Sequence, residues 1–474
     1  MEQYAPGCNK VYSYLIARSD KQYDHTVFFG LEYYLKQYLS VKLTPEMAEE
    51  FIQYAGMILG SVNEKGEVVP RIISDDVQSK IRKLCELGYF PIEIKAVPEG
   101  TVMPVRNVLM TLTNTLPDFH WVVGFVESLI LKIWDPITTA ACALQYRQMV
   151  EKYFDQTVDE EMHFLKDFSV HDFGYRGCSS EEQAILTGAG FLLNFKGSDT
   201  VPALPFVINH YGADPKGPIM FSVPASEHSV MCSFGREDEL SAFRNMLRLY
   251  PEGIVSIVSD TFNVYTVLTD FAQELKEEIL SRDGKVVFRP DSGNPEYIIC
   301  GDPEAPVGSN EYKGAVRLLD EMFGSTVNSK GYKVLNPKVG LIYGDGMYLA
   351  RYERTLKRLE EMGYAATNLV IGVGGILRNH SRDTLGFAIK ATYVEVDGIP
   401  REIEKDPITD RKKKSHKGLL KLRYSEEEGY VTEDQVTFEQ ESETLLKPVF
   451  KDGQILQTQK FEDIRSRVEE FLNN

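Results

Sequence analysis

Seven short apolar runs punctuate the chain, and each ends abruptly in small, charged or acidic residues. Phe168-Ser-Val170 gives way to His171-Asp172-Phe173-Gly174-Tyr175-Arg176-Gly177. Phe191-Leu-Leu193 gives way to Asn194-Phe195-Lys196-Gly197-Ser198-Asp199-Thr200. Met220-Phe-Ser-Val223 precedes Pro224-Ala225-Ser226-Glu227-His228-Ser229, and Ile254-Val-Ser-Ile-Val258 precedes Ser259-Asp260-Thr261. Val286-Val-Phe288 runs into Arg289-Pro290-Asp291-Ser292-Gly293-Asn294-Pro295. Val339-Gly-Leu-Ile342 leads to Gly344-Asp345-Gly346, and Leu369-Val-Ile371 to Gly372-Val373-Gly374-Gly375. Apolar runs of this length fit strands covered on both faces. Polar residues at their C-terminal ends fit the face where parallel barrels carry catalysis. The spacers hold helical patterns at 237–249, 265–281 and 347–362. The pattern predicts an α/β chain with a β/α barrel over 165–390.

The remainder reads differently. Val27–Leu35 opens an amphipathic helix, Phe90–Val97 alternates as a half-exposed strand does, and a helix spans about 121–133. An insertion at 297–335 carries one helix, 312–323. Beyond 390 come a strand and turn, a charged stretch at 401–417, short strands and a final helix, 461–472. That tail has too few helices for more barrel. Residues 1–164 and 391–474 are therefore expected to form one α+β domain.

Length and composition narrow the options. With 474 residues and 43% hydrophobic content, two domains with large cores are the better expectation. Six scattered cysteines without a Cys-x-x-Cys argue against a structural zinc site and a disulfide framework, and fit a reducing cytoplasm. The first residues show no basic or apolar leader pattern. The most apolar stretch, 121–144, is broken by Glu127, Lys132, Asp135 and Pro136, so no membrane span is expected. A net charge of −18 argues against nucleic acid as a partner. An acidic protein that binds a polyphosphate must concentrate cations at the site, and Arg176, Lys196, Arg289, Arg382 and Lys390 fall in or after the rim motifs.

Five of those motifs, at 171–177, 194–200, 222–229, 289–295 and 344–346, occur in one order. Together they closely resemble the nicotinamide phosphoribosyltransferases of the type II phosphoribosyltransferase class. The resemblance runs from Lys10-Val-Tyr-Ser-Tyr14 to the tail. It implies an irregular β/α barrel of the type II phosphoribosyltransferase kind. It also implies an NAD-salvage enzyme making nicotinamide mononucleotide and pyrophosphate from nicotinamide and phosphoribosyl pyrophosphate. Mg²⁺, ATP as a coupled co-substrate, and a homodimer with shared active sites are further implications. The alternatives are a nicotinate phosphoribosyltransferase or a catalytically weak dimeric binding or signalling protein.

Such a reaction passes through a cationic sugar, so positioning and electrostatics should dominate. Phe173 can stack on a pyridine ring, or be a core phenylalanine. Arg176 can reach the ring side or a phosphate, or pair with a rim acid. Asp199 accepts hydrogen bonds only, which suits a carboxamide NH2 and repels nicotinate; its bland reading is a helix N-cap. His228 is a candidate nucleophile for phosphoryl groups, and the resemblance implies its phosphorylation by ATP. The side chains of Arg289 and Asp291 should emerge on one side of their extended segment. The resemblance gives the arginine to carboxamide and ribose, and the aspartate to ribose hydroxyls and magnesium. It places Ser256 near the carboxamide and Asp260, with Asp291, near hydrated Mg²⁺; Asp260 also reads as an N-cap.

Gly344, Asp345, Gly374 and Gly375 allow close backbone approach to ribose and its phosphate, although tight turns need glycine anyway. A small polar residue is expected where Val373 stands. By resemblance, Arg18, Lys196, Arg382, Lys390, Lys405 and Lys413 line the phosphate and pyrophosphate channel. The run Lys412-Lys413-Lys414 reads equally as a solvated loop. At the start, Gln3-Tyr4-Ala5-Pro6 matches only part of an Asp-Ser-Tyr-Lys and Gln-Tyr-Pro pattern, so a stacking tyrosine is expected to lack a counterpart.

Overall fold

A computed structural model describes residues 1–409 and 413–473, so Lys412 of the basic run lies outside the described residues. The chain divides into two compact units. One is Met1–Thr138 with Ser381–Phe471, and the other is built on Thr139–His380. The divisions differ from the expected 164/165 and 390/391 for local reasons. Helix Trp134–Thr157 is held into the second unit by its own contacts: Tyr146 donates to the Met347 carbonyl at 2.9 Å, and Asn194 to the Ala140 carbonyl at 3.1 Å. Residues just before 390 join the first unit, where strand Ala388–Val396 pairs with Cys8–Ile16.

The second unit carries the parallel strands. In spatial order they are Glu252–Val258, Asp283–Arg289, Val339–Tyr343, Val370–Val373, Val170–Asp172 and Gly197–Ser198. Two of the seven apolar runs are not strands: 191–193 closes helix Glu181–Phe191, and 220–223 is too irregular for a strand, yet the latter segment joins the two edges. Phe221 bridges to Gly197 and Ala225 to Ser256, both parallel. The amide of Ser198 donates to the Phe221 carbonyl at 3.0 Å, and that of Ser256 to the Pro224 carbonyl at 2.9 Å. Closure gives both edges partners, which removes the unpaired backbone groups an open sheet would leave. Val255, Ile257, Val286, Phe288, Leu341 and Ile371 are buried, as expected for strands covered on both faces. Because every pairing is parallel, the polar strand ends gather at one rim.

Helices return the chain between strands, among them Glu181–Phe191, Glu239–Leu249, Asn310–Phe323 and Leu349–Glu361. The span 265–281 is not one helix but a broken series, Val264–Thr266, a π-turn at Val267–Phe271, Ala272–Glu274 and Lys276–Ser281.

The first unit centres on a seven-stranded antiparallel sheet. Its order is Ile399–Glu402, Ala388–Val396, Cys8–Ile16, Val108–Asn114, Ile92–Ala96, Lys447–Lys451 and Gln454–Ile455. Both ends of the chain thus supply one sheet. The expected helix at 27–35 begins later, at Leu31, because His25–Val27 pairs with Val102–Pro104 as a strand.

Candidate active site

The barrel encloses a cavity of about 470 Å³. At the rim it is lined by His171, Phe173, Asp199, Ser222, Ser256 and Arg289. Away from the rim it is mostly apolar, lined by Phe154, Val287, Leu341 and the exposed Phe164, and it meets the half-buried Lys285. Alternation along Val170–Asp172 explains the first contribution: His171 and Phe173 share one face, and Asp172 takes the other.

The polar groups of the cavity are unevenly satisfied. Ser222 donates its hydroxyl hydrogen bond to the Asp199 carboxylate, and the Asp199 amide donates to the Asp172 carbonyl at 2.9 Å. Asp199 is thereby fixed at both backbone and side chain. Ser256 Oγ and Arg289 Nε are buried without a hydrogen-bond partner among the described residues. Buried donors are normally paired, so two unpaired ones beside one cavity mark a place for an acceptor from outside the protein. The Arg289 guanidinium lies over the Phe173 ring, 5.4 Å from its centroid. Burial pushes the His171 imidazole below its ordinary range, against the pull of the Asp199 charge.

A second group stands on neighbouring strand ends. His228 opens the short helix His228–Cys232, and its Nε2 lies 3.2 Å from Asp260 Oδ1. Asp260 Oδ2 accepts from the Asp291 amide at 3.0 Å. The Asp291 carboxyl is raised above the usual carboxylate range by burial, with the charges of Asp260 and Asp345 adding and those of Arg289 and His228 opposing. Among the described residues no group of three or more His, Cys, Asp or Glu side chains is arranged to hold a metal directly. Two adjacent carboxylates, Asp260 and Asp291, do fit a cation held largely through water and substrate phosphates.

The rim glycines act through space. A Cβ at Gly344 would lie 2.5 Å from Asp291 Oδ1, and one at Gly372 would lie 2.2 Å from the Phe173 ring. Gly374 approaches the Phe173 carbonyl, with a Cβ position 3.3 Å away, whereas Gly375 faces open space. Asp345 is exposed beside them. Val373 is buried, and its carbonyl accepts from the Phe173 amide at 2.9 Å; backbone rather than side-chain polarity is used there.

The cations fall into three places. Arg176 is exposed, and no ion pair joins it among the described residues. Lys196 precedes its strand, and its ammonium is tied to Asp167 at 2.6 Å, so it stands outside the rim group. The other expected phosphate-channel residues lie in the first unit. There Lys390 is pushed below the usual lysine range by burial and by the neighbouring charges of Arg18, Lys405 and Arg382, with Glu127 opposing. Arg18 donates to the Gly386 carbonyl at 3.1 Å, and Arg382 to that of Phe387 at 2.7 Å. Arg18, Lys405 and Arg382 thus stand near Lys390, with Glu127 as the acidic neighbour. Lys413 is exposed.

The residue patterns of known proteins agree with this architecture. The pattern of the nicotinate phosphoribosyltransferase (NAPRTase) family matches residues 168–454, and that of the nicotinamide phosphoribosyltransferase N-terminal domain matches 1–61. A nicotinamide phosphoribosyltransferase of Acinetobacter baylyi is 39% identical across 100% of this chain and 95% of its own length. One of Xanthomonas campestris is 36% identical across 98% of this chain and 95% of its own. In fold, the chain is similar to a nicotinate-nucleotide pyrophosphorylase from Pyrococcus furiosus, with a TM-score of 0.57 at 16% identity over 98% of this chain and 90% of that one. It is also similar to human nicotinic acid phosphoribosyltransferase, with a TM-score of 0.52 at 14% identity over 98% and 89%. With relatives this similar over nearly their full length, the chain belongs to the nicotinate phosphoribosyltransferase family.

Proposed function

We propose that the protein transfers the phosphoribosyl group of phosphoribosyl pyrophosphate to nicotinamide, forming nicotinamide mononucleotide and pyrophosphate in NAD salvage. One observation carries the choice of base. Around one cavity stand an acceptor, Asp199, and two unpaired buried donors, Ser256 and Arg289. A carboxamide offers the complement, an NH2 for Asp199 and a carbonyl for the donors. A carboxylate offers no donor and brings like charge to Asp199. Phe173 supplies the flat face for the pyridine ring.

In this reading the ring nitrogen is aimed at the ribose C1 by Phe173 and Asp199. Arg289 and Asp291 hold the ribose side. Positioning and charge, rather than covalent attack, lower the barrier. Magnesium, held through water by Asp260 and Asp291, would neutralise the phosphates. ATP coupling would run through His228: an imidazole nitrogen attacks the γ-phosphorus and ADP leaves. The Asp260 carboxylate beside Nε2 orients that ring.

The cation cluster of Arg18, Arg382, Lys390 and Lys405 suits pyrophosphate, and we assign it to a site completed in a homodimer. Support for a second copy comes from the first unit. Helix Pro45–Ile58 exposes Phe51, Tyr54, Met57 and Ile58, and Ile72 nearby in sequence is 90% exposed. An apolar surface of this kind marks an interaction site. Among the described residues no helix is long and apolar enough to cross a membrane. With six free cysteines, the cytoplasm is the proposed compartment. The test is product analysis: purified protein with nicotinamide and phosphoribosyl pyrophosphate should release nicotinamide mononucleotide and pyrophosphate in equal amounts. No product with magnesium and ATP present would refute the reading.

A further inference from the structure

Asp172 and Arg378 form an ion pair with almost no solvent access, 1% on the arginine side chain and 0% on the aspartate. Neither faces the cavity. Yet the pair is where three rim segments meet. Asp172 Oδ2 takes the Arg378 guanidinium at 2.7 Å and the Thr200 hydroxyl at 2.9 Å. Its Oδ1 takes the Gly174 amide at 2.7 Å. Its backbone carbonyl takes the Asp199 amide at 2.9 Å. One residue therefore fixes the backbone after Phe173 and the backbone of Asp199, and the arginine brings in the loop after strand Val370–Val373.

The sequence makes room for this contact. A Cβ on Gly174 would lie 2.9 Å from Asp172 Oδ1 and 3.0 Å from the Arg378 Cζ. A larger residue would push the carboxylate and the guanidinium away from the backbone there. Arg378 Nε also donates to Cys178 Sγ at 3.1 Å, closing the far end of the first motif. A buried carboxylate with donors on both oxygens is rigid, and removing its charged partner leaves it uncompensated.

We propose that Arg378 is a positioning residue for base recognition: acting through Asp172, it sets Phe173 and Asp199 at the spacing that fits one pyridine carboxamide. The inference rests on the nicotinamide reading above for its kinetic consequence, but its structural consequence stands without it. Arg378 touches no substrate, so phosphoribosyl pyrophosphate binding should be spared.

The test compares wild type with Arg378→Gln and with the double variant Asp172→Asn/Arg378→Gln, which keeps a neutral hydrogen-bonded pair of similar shape. Two readouts are taken. In Arg378→Gln the KM for nicotinamide should rise roughly tenfold while that for phosphoribosyl pyrophosphate changes less than about twofold, and the double variant should recover most of the loss. Amide hydrogen exchange should quicken at 173–178 and 199–200 in Arg378→Gln and return toward wild type in the double variant. Equal rises in both KM values, or unchanged exchange in those segments, would overturn the proposal. So would exchange raised throughout the barrel, which marks a merely structural residue. If wild type turns over no nicotinamide, the functional reading fails, and the exchange pattern alone still decides the positioning role.

Discussion

Asp199 is held more firmly than any helix cap requires, with Ser222 on its carboxylate and Asp172 on its amide. Replacing it by asparagine keeps the shape but removes the acceptor-only charge. Asp199→Asn should lower kcat/KM for nicotinamide by about 1–3 kcal/mol of transition-state binding, measured by initial rates, with nicotinate rising relative to it. His228 stands 3.2 Å from Asp260 and is the proposed nucleophile of the ATP coupling. His228→Ala should keep the fold and basal turnover but lose ATP stimulation and ATP hydrolysis, read by ADP release. These residues were legible because each is a polar side chain at the end of an apolar run. The pairing of Asp172 with Arg378 was not, since it spans 206 positions and leaves no local pattern. Lys196 misleads for a related reason. It shares a motif with Asp199, yet the strand between them is only two residues long and Lys196 lies before it, against Asp167.

At the scale of elements, five of the seven apolar runs fall on strands, the run at 191–193 closes helix Glu181–Phe191 ahead of the short strand Gly197–Ser198, and the run at 220–223 is a bridging segment. The run at 220–223 shows why spacing alone misjudges it. It pairs at single residues, Phe221 and Ala225, while Pro224 between them has no amide to donate. The helix expected at 312–323 ends as read at Phe323 but starts at Asn310 under the Ser309 cap, and it is kinked at Gly314, where φ is 73°. Helix Trp134–Thr157 is absent from the sequence reading, and the unit division falls within it at 138/139 rather than at 164/165, because an apolar pattern does not say which core it enters. The loop after strand Val370–Val373 gives a pH prediction. Burial, with the Arg378 charge adding, pushes His380 from 6.5 down to about 4. The unfolded chain takes up this proton near 6.5, but the folded one resists it. The contribution is fully present above about pH 6.5 and is lost as pH falls toward 4, by up to roughly 3 kcal/mol. Urea midpoints across that range should fall in wild type and fall less in His380→Gln.

At the scale of the molecule, a chain of net charge −18 gathers Arg18, Arg382, Lys390 and Lys405 in one place. Glu127 offsets part of the repulsion at Lys390, and a bound anion would offset more. Pyrophosphate should therefore raise the melting temperature in proportion to its occupancy, and Lys390→Met should blunt the shift. The exposed apolar helix of the same unit predicts a dimer in sedimentation at micromolar concentration; a monomer with full activity would contradict shared sites. In the proposed function the barrel holds a pocket for the amide rather than the acid. The ratio of kcat/KM for nicotinamide to that for nicotinate, in the wild-type protein with saturating phosphoribosyl pyrophosphate, tests it most directly. The pocket chemistry of Asp199, Ser256 and Arg289 predicts a ratio of about 100 or more. Equal efficiencies, or a preference for nicotinate, would contradict it.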